Sequence, residues 1–499
     1  MNLKRLISIL MVCVLLCSSI LLVSCDKEKE EDKDKGELVG EWIDKYTDLA
    51  EFKWEYDEFN ILIVSDKLDS TYYSEDVVPD LYSTTDNLLN EAVAARNDEI
   101  FSRYGVTIKA TASDDLKGDI ERDRAATLNQ YDAALPFAYM ATSLAEGGYL
   151  YNLNDDIFNG YLHLDQKWWD QKATSAFSIG NNLYFTTGDI SIMPKIVSTA
   201  ITFNKDMLKT YFGDENMLYD AVREKTWTFD KMVEMATEVT SDTDGRAGMT
   251  FEDTWGLSAS YSDVNTYFIA SGKNYIVKDA DDLPVLVIEQ SASVNIAGKI
   301  LEELQKPNTW VWHCDTVTDN TKWVKSLDLF GQNRALFRTS AFSAIKKLRN
   351  YTDAKEFGII PLPLMTKEQD TYYTSCGAGM AHVAVIPASL STERAQYAAY
   401  ILDAMAFGGM KHITPAYYET TLKHRDLRDS ESEEMLDKYI FNNIVYDLGI
   451  VYNFGNITGI MTNLMSARKT SITADIQANK NVIQSAINDC VKAFDKHAQ

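Results

Sequence analysis

The chain has 499 residues, a formal net charge of −26 and a sequence pI near 4.6. This length predicts two to three domains, and an apolar fraction of 45% with 27 Tyr, 20 Phe and 9 Trp is typical of a globular protein with an ample core. The acidic balance argues against nucleic acid as a partner, because phosphate binding needs a basic face, and against an electrostatic hold on anionic lipid.

The first 25 residues have the pattern of an export signal. Lys4 and Arg5 precede an apolar run from Leu6 to Val23, which predicts a secretory signal, with a transmembrane anchor as the alternative. Residues 22–25 (LVSC) resemble the bacterial lipobox, in which the cysteine is lipidated and becomes the first mature residue. We therefore expect residues 1–24 to be a signal peptide and Cys25 to hold the protein by lipid on the extracytoplasmic face of the membrane.

A hydrated tether is predicted after Cys25. Residues 26–35 (DKEKEEDKDK) contain no apolar side chain and cannot contribute to a core, so we assign residues 25–58 to the lipidated cysteine and a tether. Beyond the tether, Cys314, Cys376 and Cys490 remain as free or pairing thiols. Without CxxC or Cys/His spacing, neither a disulfide framework nor a zinc site is indicated.

Strands and helices are predicted to alternate from residue 59 onward. The predicted elements are a buried strand over 59–64, a helix over about 86–104 ending at Gly105, a strand over 106–110, a helix over about 117–130 and a strand over 132–135. Such βαβα alternation predicts an α/β sheet with helices on its faces.

The same pattern continues through the second half of the chain. We predict a strand over Thr199–Asn204 and a helix capped by Thr228. A further helix is predicted to start at Ser391 and to close at Gly408-Gly409, and the last hundred residues look mostly helical. No internal repeat and no long linker follows Gly36, so two lobes must be interwoven, with the chain crossing between them.

Several stretches together resemble the family 1 extracellular solute-binding proteins, which are mostly carbohydrate receptors of bacterial ABC importers. The stretches are residues 131–134 (YDAA), 203–208 (FNKDML), 226–230 (TWTFD), 331–337 (GQNRALF), 358–363 (GIIPLP) and 386–387 (IP). Their order and spacing over about residues 59–499 carry the resemblance. Residues 428–436 and 446–449 resemble a Gram-positive branch of that family.

The resemblance implies a type II periplasmic-binding-protein-like α/β fold, with two interwoven lobes joined by three hinge crossings and a helical C-terminal region. Lobe 1 would comprise 59–187 plus 383–415, and lobe 2 would comprise 188–382 plus 416–499. The crossings are placed near 187–189, 378–382 and 414–417. Such a protein traps its ligand between the lobes by hinge closure and catalyses no reaction. The implied partners are a carbohydrate and the permease subunits of an importer, with the receptor as a monomer.

Sugar binding needs aromatic faces for stacking and polar side chains for hydroxyl groups. Position by position, the resemblance selects six ligand-binding candidates, each with a packing or hinge role as its alternative: Tyr139, Asp189, Tyr261, Asp263, Phe342 and Phe454. By contrast, the tryptophans at 168, 169, 227 and 255 are predicted to pack in the core, and residues 310–313 to form a strand edge.

Metal and enzyme signals are weak. Residues 242–245 (DTDG) are similar to the start of a calcium-binding loop. The twelfth position of such a loop, which normally supplies a bidentate carboxylate ligand, would here be Phe251. We therefore expect no calcium site and no other cofactor. The chain lacks G-x-S-x-G, HExxH and P-loop motifs. The alternatives to a sugar receptor are a surface enzyme acting on glycans and a binding lipoprotein for a different solute.

Overall fold

The structure is a computed structural model that describes residues 54–79, 87–306, 309–348, 351, 356–417 and 430–497. Its contacts divide the chain into Met1–Asp57 and Glu58–Gln499, and the elements given below belong to the second unit. The predicted signal peptide, Cys25 and most of the tether lie outside the described residues. Across the ranges that the structure describes, we find no helix with the length and apolar character needed to span a membrane.

A small parallel sheet opens the second unit. Its strands are β1 (Glu58–Val64), β2 (Thr107–Ser113) and β3 (Ala133–Leu135), in the order β2-β1-β3. The helices between and after them are α1 (Asn87–Tyr104), α2 (Leu116–Ala126) and α3 (Ala138–Glu146). The predicted βαβα alternation is therefore confirmed here. As expected, α1 is followed by Gly105, whose φ of +70° suits glycine.

The remaining elements follow in chain order. The strands are β4 (Thr199–Asn204), β5 (Trp255–Ala259), β6 (Ile276–Lys278), β7 (Pro284–Leu286), β8 (Val311–His313), β9 (Ala335–Ala341), β10 (Phe357–Ile360), β11 (Thr374–Ser375) and β12 (Ile444–Val445). The helices up to residue 331 are α4 (Gln171–Phe177), α5 (Met193–Ile196), α6 (Lys205–Phe212), α7 (Met217–Arg223), α8 (Phe229–Val239), α9 (Asp263–Ala270), α10 (Ser291–Leu304) and α11 (Lys322–Gly331). The later helices are α12 (Phe342–Leu348), α13 (Thr392–Gly408), α14 (Ser430–Met435), α15 (Leu448–Val451), α16 (Ile457–Ala467) and α17 (Thr473–His497).

A five-stranded mixed sheet forms the second core. Its order is β10-β4-β9-β5-β8, with β4 antiparallel to its two neighbours and with β9, β5 and β8 mutually parallel. The C-terminal ends of β5, β8 and β9 therefore share one edge with the N-terminal end of β4. In open α/β sheets, ligands bind beyond the carboxyl ends of the strands, so this edge is where a site is expected.

The chain returns from the second sheet to the first through residues 382–387. Val385 bridges to Ala134, Ala384 to Thr186 and His382 to Phe137. The Thr187 hydroxyl donates to the carbonyl oxygen of His382 over 2.9 Å. Two α/β sheets connected by segments that bridge to one another, followed by a helical C-terminal region, match the predicted periplasmic-binding-protein-like fold.

One predicted helix end is a change of helix type and not a stop. Ser391 caps α13 as expected by accepting from the Arg394 amide over 3.3 Å, and the α-helix ends at Gly408, but the chain does not leave the helical conformation there. Gly409 has helical angles, and the chain continues as a π-helix over Gly409–Ile413. A Cβ atom on Gly409 would lie 1.9 Å from the Asp189 carbonyl oxygen. Glycine is therefore required for close approach to the 187–189 segment, whereas the sequence pattern indicated a helix stop.

The tryptophans predicted to pack are buried. Trp168 and Trp169 are 4% and 1% exposed, and both indole N–H groups donate to one oxygen of the buried Asp403 carboxylate, over 2.8 and 2.7 Å. Charged acceptors of this kind need several donors when buried, and the tryptophans supply two. The pair thus ties the segment before residue 187 to α13.

Candidate ligand-binding site

A cavity of about 440 Å³ lies at the edge of the five-stranded sheet where ligands are expected. One wall comes from the loop after β1, with Asp69, Thr71 and Tyr72. The floor is formed by the ends of β4, β5 and β9, and the far wall by the first turns of α11 and α12. Tyr72 reaches across the cavity, because its hydroxyl lies 3.2 Å from the Ser343 hydroxyl at the start of α12.

Two charged side chains, Arg338 and Asp263, line the inner part of this cavity. Arg338 is 4% exposed, and its guanidinium donates to the hydroxyls of Ser326 and Ser340 over 3.2 and 2.8 Å. Burial lowers the pKa of Arg338, while the nearby Asp263 opposes that change. The arrangement places a fixed cation beside a carboxyl group under the cavity.

Asp263 is the first residue of α9 and accepts from the Ser260 amide over 2.8 Å. Burial raises its pKa from 3.8 to about 7, and the Ser260 hydrogen bond and the charge of Arg338 only partly oppose that rise. A carboxyl group in this state is able to donate or accept a hydrogen bond near neutral pH. Ligand hydroxyl groups offer both kinds of partner.

An exposed tryptophan stands at the mouth of the cavity. Trp323 lies in the first turn of α11 and is 51% exposed, and the Lys322 ammonium lies 4.9 Å from the centre of its ring. Large exposed aromatic faces are costly to leave in water and suit stacking on the C–H face of a sugar ring. Sequence reasoning missed Trp323. The available signal was its place in the first turn of a helix that follows a parallel strand, since that turn lies at the ligand edge of the sheet.

Of the six predicted ligand residues, Asp263 lines this cavity. Phe342 begins α12 between two lining residues, yet it is 2% exposed and packs on Phe441 with ring centres 4.8 Å apart. Phe454 is 3% exposed and stacks on Tyr452 at 5.1 Å with an interplanar angle of 8°. Phe342 and Phe454 thus occupy packed positions in this conformation.

The other three predicted residues lie elsewhere. Tyr139 is 44% exposed at the start of α3 and stacks on Phe137 at 5.7 Å. Asp189 accepts from the Thr414 hydroxyl over 2.6 Å and lies 3.5 Å from Lys195, so it joins the segments proposed as the first and third crossings. Tyr261 faces a second groove beside β8, although it is only two residues from Asp263.

The loop that carries Tyr72 is also tied to the segment at residue 382. His382 is fully buried, with Nε2 2.9 Å from the Tyr72 carbonyl oxygen and Nδ1 3.4 Å from the Ser74 hydroxyl. Burial lowers the pKa of His382, so the neutral ring donates through Nε2 and accepts at Nδ1. One wall of the cavity is therefore held by the segment that joins the two sheets.

The acidic loop before β5 brings three carboxylates together. Asp242, Asp244 and Asp253 each place an oxygen within 4.8 Å of the others. Asp253 is buried and already accepts from the amides of Thr243, Asp244 and Thr250 over 2.7, 3.0 and 2.6 Å. Desolvation by burial acts to raise the pKa of Asp253, but these hydrogen bonds outweigh it and hold the pKa below its usual value. The loop is therefore closed by its own N–H donors, and the expected lack of calcium stays a prediction.

No protein-family model and no curated protein matches the sequence. The fold is similar to that of solved binding proteins. A cyclo/maltodextrin-binding protein complexed with maltotetraose superposes with a TM-score of 0.53 at 15% identity, covering 90% of this chain and 99% of the other. UspC of M. tuberculosis gives 0.53 at 13% identity, covering 86% and 100%. Maltose-bound MalE3 of T. maritima gives 0.50 at 14% identity, covering 86% and 98%. The chain therefore has the periplasmic-binding-protein-like α/β fold.

Proposed function

We propose that this protein is a substrate-binding protein that holds a carbohydrate, an oligosaccharide, in its cleft and delivers it to an ABC importer by hinge closure. The cavity at the sheet edge is the observation that carries the proposal. It combines an exposed aromatic face at Trp323 with polar partners at the buried Arg338 and the partly buried Asp263. Sugar sites need this combination, because stacking and hydroxyl bonding act on different faces of one ring.

Hinge closure is supported by contacts across the cavity. The loop after β1 reaches α12 through Tyr72 and Ser343, and Lys346 of α12 lies 3.9 Å from Glu75. Both contacts are weak and partly exposed, so they add little stability of their own. We propose lobes of 59–187 plus 383–415 and 188–382 plus 416–499. A ligand touching both walls would favour the closed state by its differential affinity.

Five of the six predicted ligand residues remain part of the cleft proposal, some with more support than others, whereas Tyr261 faces the second groove. Asp263 has the support of the cavity, and Tyr139 has an exposed ring. Phe342 and Phe454 would have to leave packed positions to contact a sugar, and Asp189 would have to give up its bond to Thr414. We therefore place Trp323, Asp263 and Arg338 first.

We further propose an extracytoplasmic location with a lipid anchor at Cys25 and a signal peptide over residues 1–24, as in the Gram-positive branch of solute-binding proteins. The support is the LVSC sequence and the charged run behind it. The partners would be the permease subunits of the importer, with the receptor acting as a monomer. Solved proteins of similar fold are described with maltotetraose and maltose bound, which makes glucose oligomers the first compounds to test.

A thermal-shift screen tests the proposal. A ligand that binds only the folded chain stabilises it by about 2.7 kcal/mol at a concentration one hundred times its Kd. We expect at least one of maltose, maltotetraose, cellobiose and xylotriose to raise the Tm, and Trp323→Ala to reduce the shift. Val324→Ala is the matched control, because Val324 is the next residue of α11 and is 55% exposed. No shift with any mono- or oligosaccharide would count against a sugar ligand.

Catalysis on a glycan is the rival function, since Asp69 and Asp263 line one cavity and burial raises the pKa of Asp263. The Asp263 carboxyl also has a structural role, because it caps the turn before α9. We therefore expect no turnover. Release of reducing ends from the same sugars, lost in Asp263→Asn, would favour the enzyme. A Tm rise with a solute other than sugar would favour the third alternative.

A further inference from the structure

A second groove lies beside the outer strand β8 of the five-stranded sheet. Its volume is about 1110 Å³, compared with about 440 Å³ for the cleft cavity. The short segment after β5 separates the two, because Ser260 and Asp263 line the cleft cavity while Tyr261 lines the groove. The groove is thus a distinct feature, and the binding cleft proposed above does not use it.

The walls of the groove are aromatic. Phe251 and Tyr261 line it with partly exposed rings, and the buried Trp255 and Trp312, which are 5% and 6% exposed, lie in the same wall. Trp312 packs on Phe251 with ring centres 5.3 Å apart, and the Tyr261 ring lies 5.0 Å from that of His313. Packed rings of this kind present rigid apolar faces at little cost in side-chain entropy, which suits the C–H face of a ring-shaped ligand.

Two buried acceptors in the groove lack donors among the residues that the structure describes. Gln305 donates through Nε2 to the Lys469 carbonyl oxygen over 2.8 Å, which fixes the amide and leaves its buried Oε1 without a partner. His313 places Nε2 2.8 Å from the Leu304 carbonyl oxygen. A carbonyl only accepts, so Nε2 carries the hydrogen and the buried Nδ1 is left as an acceptor without a partner. Burial lowers the pKa of His313, which keeps the ring neutral.

These acceptors and the charge at the rim restrict the ligand. A buried acceptor without a donor is costly, so a ligand that brings hydroxyl groups gains the hydrogen bonds that the fold leaves unmade. Three cationic side chains (Lys306, Lys325 and Arg468) and two carboxylates (Glu252 and Glu302) also line the groove, so its charge disfavours a cation only slightly. The fitting ligand is a neutral or anionic ring with several hydroxyl groups.

We propose that the groove beside β8 is a second saccharide-binding site, with Tyr261 and Phe251 as stacking surfaces and Gln305 and His313 as hydroxyl acceptors. The proposal stands apart from the role of the cleft, because it uses different residues. A second site on the same lobe would hold sugar near the cleft or bind part of a longer glycan.

The test follows ¹⁹F resonances of the full chain labelled with 5-fluorotryptophan. Trp312 reports on the groove and Trp323 on the cleft, and Trp312→Phe and Trp323→Phe assign the two signals. The probes are maltotetraose, cellobiose, xylotriose and galacturonic acid. We expect at least one probe to shift the Trp312 signal saturably. Gln305→Leu removes an acceptor and should weaken that binding about tenfold. Tyr261→Ala, a change at a partly exposed ring, should also weaken sugar binding at the groove. This variant replaces Gln305→Leu in the test if Gln305→Leu fails to fold.

The control variant Trp323→Ala should leave the Trp312 titration unchanged. The proposal is overturned if no probe moves the Trp312 signal, or if its response disappears in Trp323→Ala. It is equally overturned if the signal changes only with protein concentration, because the groove would then hold a second copy of the chain. If a sugar shifts the Trp312 signal and leaves the Trp323 signal unchanged, the result would instead contradict sugar binding in the cleft and support sugar binding in the groove.

Discussion

Replacing Asp263 by Asn should make the protein more stable at neutral pH and leave its stability unchanged in acid. The carboxyl group has its pKa raised from 3.8 to about 7 by burial. A group with a raised pKa in the folded state is protonated in both states below pH 3.8, where it has no unfavourable effect. As the pH rises toward 7, the unfolded chain ionises Asp263 freely while the folded chain resists, so stability is lost over that window.

The size of this stability difference follows from the two pKa values of Asp263. The difference between 3.8 and about 7, at 1.36 kcal/mol for each pKa unit, gives at most about 4 kcal/mol. Asp263 keeps partial contact with solvent in the cavity, so we expect about 2 kcal/mol. Asn keeps an acceptor for the Ser260 amide and adds no charge, which limits the change to the ionisation itself.

Urea denaturation of both proteins between pH 4 and pH 8 measures this difference, because the other titrating groups are shared and cancel. The free energy of unfolding of Asp263→Asn minus that of the original chain should rise with pH and level off above pH 7. A difference that is flat with pH would refute the reasoning, since it would mean that Asp263 ionises as easily in the folded chain as in the unfolded one. A difference that falls with pH would mean that the folded chain favours the carboxylate.

Four other changes test separate parts of the molecule. Phe342→Ala and Phe454→Ala should each lower the stability of the ligand-free protein by about 3–5 kcal/mol in urea denaturation, because both rings are packed; an unchanged stability with weaker sugar binding would restore them as cleft contacts. Addition of EDTA should leave the Tm unchanged, since amide groups already satisfy Asp253, whereas a large drop would reveal a metal site. Cys25→Ser should release the protein from the membrane fraction on immunoblots, and equal membrane retention would contradict lipidation at that residue.

Much of the fold was predictable because local chemistry and the final environment agree. The strand at Thr199–Asn204 has the predicted bounds, and Thr228 caps its helix by accepting from the Lys231 amide over 3.2 Å. The π-helix that continues from α13 was not predictable, because Gly409 is required by the distant carbonyl of Asp189 and not by its neighbours in sequence. A glycine is found both at helix ends and where two segments of backbone approach closely. A single sequence does not tell which of these two roles a given glycine has.

The site was harder to predict than the fold for a related reason. A resemblance assigns residues by their position along the chain, and Tyr261 and Asp263 were therefore predicted as one group. In the structure, Tyr261 lies in the turn before α9 and lines the groove, whereas Asp263 is the first residue of α9 and lines the cleft cavity. Trp323 lay outside the quoted stretches, and its exposure is set by the packing of the folded chain and not by its neighbours in sequence.

Small-angle X-ray scattering tests the central proposal, closure of two lobes on a saccharide, most directly. The measurement compares the radius of gyration of the chain alone and with the sugar that gives the largest thermal shift. We predict a smaller radius with the sugar and no change for Trp323→Ala at the same concentration, because the variant lacks the aromatic face at the mouth of the cavity. An unchanged radius in the original chain, at a sugar concentration that saturates the thermal shift, would contradict hinge closure.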